Sequence, residues 1–274
     1  MTQLAEYIER RELLVNLVLR ELRSRYKKSV LGWAWSLLNP ISSVIVYTVV
    51  FGVFLKIDPP VGQPSGLHSF VIFLLCALVP WNFFANTVST AIETLVGNAN
   101  LIKKVYFPRE LLVTASVGAL GVTFLIELGV LCGLLLIFGN MVLPWIPVLL
   151  FFAALEAVWI LGIGLVLATT NVYFRDVRHF LGIALQILFY SAPIVYPITL
   201  VPKHKEVLGV NVPVRQIYEL NPLVRFVEAF RDILYNLTFP SWQTTLYLIF
   251  WSGVSLVFGL WVFSKLDARL AEEV

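Results

Sequence analysis

The chain has 274 residues, of which 59% are hydrophobic and only 14% charged, with a formal net charge of +3 and a mean hydropathy of +0.84. That balance excludes a soluble globular domain, because its apolar surface has no aqueous placement; the solvent is lipid. The apolar runs are too long and too uniform for barrel strands, which alternate with a period of two over about ten residues.

An amphipathic arm opens the chain. Over residues 4–30, Leu4, Ile8, Leu14, Val18 and Leu22 fall near one helical face, while Glu6, Glu9, Arg10, Arg20 and Arg23 fill the rest. It is expected as an interfacial helix, either a lipid anchor or a surface that also touches a partner. Charges scattered from Glu6 to Lys28 argue against a cleavable signal peptide. Residues 33–55 then carry no ionised side chain, long enough at about 1.5 Å per residue to cross the roughly 30 Å apolar slab. Asn39-Pro40 should kink this span, and Tyr47, Phe51 and Phe54 recur on one face of its outer half.

Five more spans are predicted, at 69–96, 111–138, 142–170, 180–198 and 242–263, which makes six in one transmembrane domain covering 1–274. The two cysteines, Cys76 and Cys132, lie inside spans and read as packing residues. Between the second and third spans, residues 97–110 are short, basic and amphipathic, with Leu101, Ile102, Val105 and Tyr106 as an apolar patch. Either an interfacial turn or a docking helix fits. Glu127 and Glu156 fall near mid-span at similar depth; a carboxylate there costs about 2.5 to 3.5 kcal/mol, so both should face protein or water, as packing features or as a proton path.

Pro193 and Pro197 should break the fifth span near its outer end. The connection 199–241 holds an amphipathic stretch, Tyr218 to Asn236, with Leu220, Leu223, Val227, Phe230 and Leu234 on one face. Arg225 and Arg231 are each three residues from Glu228 and can pair with it. A re-entrant or surface helix is expected there. Fourteen Lys and Arg flank the spans on one side against six on the other, which places both termini in the cytoplasm.

No G-x-x-x-x-G-K-[ST] loop occurs, so the chain has no phosphate cradle of that kind for ATP. No spacing suggests a metal, and His68, His179 and His204 stand apart. Five stretches do carry a resemblance when taken in order: RYKKSVLGWAWSLLNP (Arg25 to Pro40), NANLIKKVYFPRE (Asn98 to Glu110), NVYFRDVRHF (Asn171 to Phe180), SAPIVYP (Ser191 to Pro197) and ELNPL (Glu219 to Leu223). Together they resemble the permease subunit of ATP-binding-cassette polysaccharide exporters, the group that moves O-antigen, capsule and teichoic acid.

The resemblance implies an all-α, multi-pass protein of the bacterial inner membrane, working as a homodimer with two copies of a separate ATPase subunit. ATP and Mg would sit on that partner, with no cofactor on this chain, and the cargo would be a lipid-linked glycan, not a nucleic acid. Asn98, Leu101, Ile102, Lys103, Lys104, Tyr106 and Phe107 would then couple to the ATPase. Since the spans contain no Lys or Arg, a neutral or weakly charged glycan is expected, held by Tyr47, Phe51, Phe54, Tyr190 and Tyr196. Arg23, Arg25, Lys27 and Lys28 would meet the lipid pyrophosphate at the rim. Two rival functions are a drug or small-lipid exporter of the same superfamily and a proton-driven carrier using Glu127 and Glu156. A membrane enzyme on polyprenyl-linked sugars would need an acid-base cluster at one face, and none is visible.

Overall fold

The computed structural model describes residues 11–26, 41–42, 45–54, 56, 58–105, 107–207 and 210–273. Much of the expected first span, with Pro40, lies outside them, as do Leu4, Ile8, Lys27, Lys28, Tyr106 and the side chain of Arg25. Helix α1 runs Arg11–Tyr26. After it comes a helical segment Ile45–Phe54, of which Thr48–Phe54 is wound as a π-helix. The following helices are α2 (Phe70–Gly97), α3 (Ala99–Lys104), α4 (Glu110–Ile137), α5 (Ile146–Tyr173), α6 (Val177–Ser191), α7 (Val214–Tyr218), α8 (Pro222–Arg231) and α9 (Trp242–Glu273). A small antiparallel hairpin, β1 (Lys205–Val207) with β2 (Val210–Val212), pairs Lys205 with Val212.

Among the described residues, four helical stretches are long and apolar enough to cross a membrane: Phe70–Gly97, Glu110–Ile137, Leu143–Tyr173 and Trp242–Asp267. They form an antiparallel bundle with two ends. One, the arm end, gathers α1, α3 and the α5–α6 turn; the other, the cap end, holds the Gly139 turn and α8. Pro80 sits inside α2 without ending it, because neighbouring helices bury this stretch of the span on several sides.

Close backbone approach defines the α5–α9 pair. A methyl added to Gly162 would overlap the Ser255 backbone, and one added to Gly259 would overlap Gly162 itself. Hydroxyls lock the same seam, Ser252 donating to the Leu155 carbonyl at 3.0 Å and Ser255 to that of Trp159 at 2.8 Å. Small residues allow such contact where lipid gives helices no hydrophobic drive to associate. The Gly129/Gly133 pair, by contrast, has nothing within 4 Å of either added methyl, so that motif packs against no described residue. Helix α1 lies along the arm-end half of α4: Leu17 and Leu22 are buried, and Val18 Cγ2 comes within 3.2 Å of a methyl built on Gly118.

The helix expected over 180–198 stops earlier. Helix α6 has 15 residues, about 22 Å, short of the apolar slab. Its end at Ser191 reflects Pro193, which pushes the preceding Ala192 to an extended backbone with φ −107° and ψ 149°. The freed chain does not open to water: Ala192, Ile194 and Val195 are buried, and the Ile194 carbonyl accepts from Arg231 Nη2 at 2.7 Å.

Helix α8 is a core element. Val224, Phe226, Val227, Ala229 and Phe230 have no exposure at all, and the helix packs against α2, α5 and α9. The amphipathic pattern thus marks a helix buried inside the bundle. Pro222 starts it, with the Asn221 side chain capping the Leu223 N–H at 3.0 Å. Leu220 lies before that cap and is 65% exposed, so it leaves the expected face. Residues 58–69 fold over the far end of α8: the Tyr235 hydroxyl is 2.9 Å from the Leu67 carbonyl and 3.1 Å from that of Pro60.

Candidate functional site

A cleft of about 300 Å³ opens between the Ile45–Phe54 segment, α2 and α6, lined by Tyr47, Leu78, Trp81, Asn82, Leu185, Gln186, Phe189 and Tyr190. Aromatic contacts shape its wall. Tyr47 stacks on Phe189 at 5.6 Å, Trp81 meets Phe189 edge-on at 5.4 Å, and Tyr190 does so at 5.1 Å. Behind this wall, Trp81 contacts Phe84, Phe84 stacks on Trp159 at 5.0 Å, and Trp159 reaches Phe226 of α8 at 5.3 Å. The cleft is thereby braced against the buried cap-end helix, since ring pairs at these spacings hold one another beyond their area burial.

Of the five aromatics expected on a pathway, Tyr47 and Tyr190 line the cleft together. Phe51 sits beside Tyr47, its ring 6.1 Å away and partly buried. Tyr196 anchors the cap-end rim: its hydroxyl donates to the Tyr190 carbonyl at 2.8 Å and lies 3.0 Å from the Tyr218 hydroxyl. Phe54 is 73% exposed and is not part of the cleft lining. Sequence reasoning missed Trp81, Asn82, Gln186 and Phe189. The signal that could have found two of them was the presence of carboxamides inside apolar runs.

At the arm end, α3 divides its residues between two tasks. Ile102 and Phe107 are buried in a second core with Leu17, Leu95, Phe263 and Leu270, and Leu101 packs against it. Lys103, Lys104 and Val105 are exposed. The single apolar patch expected over Leu101, Ile102, Val105 and Tyr106 is therefore split among the described residues: a six-residue helix between two spans must bury one side to be held at all. Asn98 joins α3 to its neighbours, its Oδ1 accepting from Arg20 of α1 at 2.6 Å and its Nδ2 donating to the Thr94 carbonyl at 2.8 Å.

Two further pairs frame this end. Arg109 Nη1 reaches the Asp267 carbonyl at 2.6 Å and carboxylate at 3.0 Å, and Arg178 of α6 pairs with Glu93 of α2 at 2.8 Å. Arg23 is exposed on α1.

Within the bundle, Glu156 is fully buried and neither carboxylate oxygen has a hydrogen-bond partner among the described residues. Glu127 is partly exposed on α4. Their similar depth does not bring them into one hydrogen-bonded cluster, because helical phase turns the two side chains to different surroundings.

The charged groups of α8 also differ from expectation in part. Arg231 does pair with Glu228, at 3.0 Å, but Arg225 pairs with Glu219, at 3.0 Å, because the turn before Pro222 brings that acid back towards the helix. Arg231 is only 3% exposed; its guanidinium lies 3.7 Å from the Phe73 ring centroid. Burial lowers its pKa and the Glu228 carboxylate raises it again. Asp232, next in sequence, is pushed up to about 6 by burial, opposed by the Asn236 amide. Among the described residues no group of three or more His, Cys, Asp or Glu could hold a metal ion.

A multi-pass helical membrane protein with a short basic helix between two spans and an aromatic-walled cleft is the class these features define. The sequence profile described as ABC-2 type transporter matches residues 12–235, and the chain belongs to that family. It is 28% identical over 263 residues to the O-antigen export system permease protein RfbA of Klebsiella pneumoniae, covering 95% of this chain and 94% of the relative. The RfbA permease of Myxococcus xanthus is 28% identical over 271 residues, 98% and 96% of the two chains. The polysialic acid transport protein KpsM of Escherichia coli is 27% identical over 257 residues, 89% of each.

Proposed function

We propose that this chain is the permease of an ATP-driven exporter that moves a lipid-linked polysaccharide out of the cytoplasm. The observation carrying this reading is the cleft of aromatic and amide side chains between the Ile45–Phe54 segment, α2 and α6, in a family whose relatives bear the names of O-antigen and polysialic acid transport. Aromatic faces and neutral hydrogen-bonding groups suit a sugar chain that must slide, since no ion pair holds it at one position.

In this reading two copies of the chain work with two copies of an ATPase subunit that carries ATP and Mg. The chain has six spans, the first centred on residues 33–55 and the fifth built from α6. Both termini and α3 face the cytoplasm of a bacterial inner membrane, and α8 enters the bundle from outside. Lys103, Lys104 and Val105 are the groups offered to the ATPase here, with Tyr106 as a further coupling residue, while Asn98, Leu101, Ile102 and Phe107 set the position of α3. Arg23, Arg25, Lys27 and Lys28 meet the pyrophosphate of the carrier lipid at the rim. Closure of the ATPase pair pushes α3, and the bundle answers by rigid-body repacking around the cleft.

Co-purification from native membranes followed by an ATPase assay tests this. A Walker-motif subunit should come with the chain and be lost when Lys103 and Lys104 become Glu. A chain that purifies alone and moves substrate on a proton gradient overturns the reading and favours the carrier based on Glu127 and Glu156.

A further inference from the structure

We propose that the cleft reads one sugar ring at a time, with Asn82 and Gln186 as the specificity-determining residues that select neutral, hydroxyl- or acetamido-bearing rings over carboxylated ones. The inference rests on the export reading and names the cargo chemistry at the same cleft.

Three observations carry it. The first concerns the amides. Asn82 lies in the middle of α2 and Gln186 in α6, and both line the cleft. Neither side chain makes a hydrogen bond among the described residues, although each offers two N–H donors and a carbonyl acceptor. Acyl chains cannot satisfy an amide, and leaving it dry is costly. A sugar hydroxyl or acetamido group can donate to one and accept from the other.

The second is charge. Among the described residues, no ionisable acid or base of the Asp, Glu, Lys, Arg or His type lines the cleft. A carboxylated sugar would lose water there without meeting a cation. Arg231 does not supply one, because it is buried and committed to Glu228, the Ile194 carbonyl and the Phe73 ring.

The third is size and surface. About 300 Å³ lies at the small end of ligand sites, room for a ring or two of a polymer. Tyr47, Trp81 and Tyr190 are among its lining, and an aromatic ring carries a negative face, which attracts the weakly positive C–H face of a pyranose and repels an anion.

The test is binding to the full chain, with its ATPase, in lipid nanodiscs. The probes are maltotriose and chitotriose as neutral sugars and trigalacturonate as the acidic one, read by calorimetry. Both neutral sugars should bind and trigalacturonate should not. Replacing Asn82→Leu or Gln186→Leu should each weaken neutral binding about three- to tenfold, with elution volume and thermal midpoint as the check on folding. Should the leucine variants misfold, the swaps Asn82→Gln and Gln186→Asn preserve polarity while moving the amide, and should still shift the ratio of chitotriose to maltotriose affinity.

Wild-type affinity in the double leucine variant, or equal binding of trigalacturonate by the native chain, overturns the proposal. So does a leucine variant that loses dimer mass while binding sugar as before, since the amides would then pair between two copies. These failures leave export intact and are distinguishable from failure of the export reading, in which the native chain recruits no ATPase and delivers no glycan to the cell surface.

Discussion

Arg231 shows what one side chain contributes at the cap end. It donates to the Ile194 carbonyl, which helix α6 leaves free, and to Glu228. Replacement by Met leaves that carbonyl and acid without their cation, and breaking a buried pair from one side costs about 3 to 5 kcal/mol. Arg231→Met should therefore lower the thermal midpoint of the purified chain sharply, and Arg231→Lys should recover only part of it. Asp232 predicts a pH dependence of defined sign. Its carboxyl titrates near 6 in the fold against 3.8 in the free side chain, so the folded chain holds the proton more tightly. The associated stability is fully present below about pH 3.8 and is lost as pH rises through about 6. Thermal midpoints measured from pH 4 to 7 should fall across that window, and Asp232→Asn should flatten the fall.

At the scale of elements, α3 separates packing from presentation. Ile102 is 5% exposed, and Ile102→Ala should cost about 2 to 5 kcal/mol, read as a lower thermal midpoint with or without any partner. Lys103→Ala and Lys104→Ala should leave the midpoint within error and weaken capture of the ATPase. If the lysine changes unfold the chain instead, α3 is an internal brace and not a docking helix. The α5–α9 seam behaves in the opposite manner: it tolerates no added volume. Gly162→Ala places its methyl against the Ser255 backbone, where no rotamer can relieve the overlap, so loss of the folded chain in detergent is expected. Gly129→Ala and Gly133→Ala, with open space around them, should be silent in the isolated chain.

For the whole molecule, the two ends must lie on opposite sides of a membrane. Cys76 and Cys132 are both buried, so the native thiols give little background to a membrane-impermeant maleimide. Met141→Cys, in the exposed turn between α4 and α5, should label in intact spheroplasts, whereas Lys103→Cys should label only after the membrane is opened. The reverse pattern would invert the topology deduced from charge. Arrangement across the bundle also explains why the cleft matters as a unit: rings on the Ile45–Phe54 segment, α2, α5, α6 and α8 touch in sequence, so a shift of α8 is felt at Trp81 through packed contacts.

Read alone, the sequence determined the membrane class, the long spans around α2, α4, α5 and α9, the short basic segment between two of them, and a proline break after the fifth apolar run. These follow from local quantities: run length, charge count, and the backbone donor that proline lacks. It also carried the order of motifs that resembles the exporter permeases, which the family match bears out. Only the tertiary structure decided which side of each helix is buried. Periodicity marks an apolar face without saying what covers it, so surface and re-entrant placements of α8 stood open, and only the packing puts α2, α5 and α9 around it. The same limit hid the cleft. Asn82 and Gln186 are 104 residues apart in the chain, and only the packing of α6 beside α2 puts two amides, unpartnered among the described residues, on one aromatic wall.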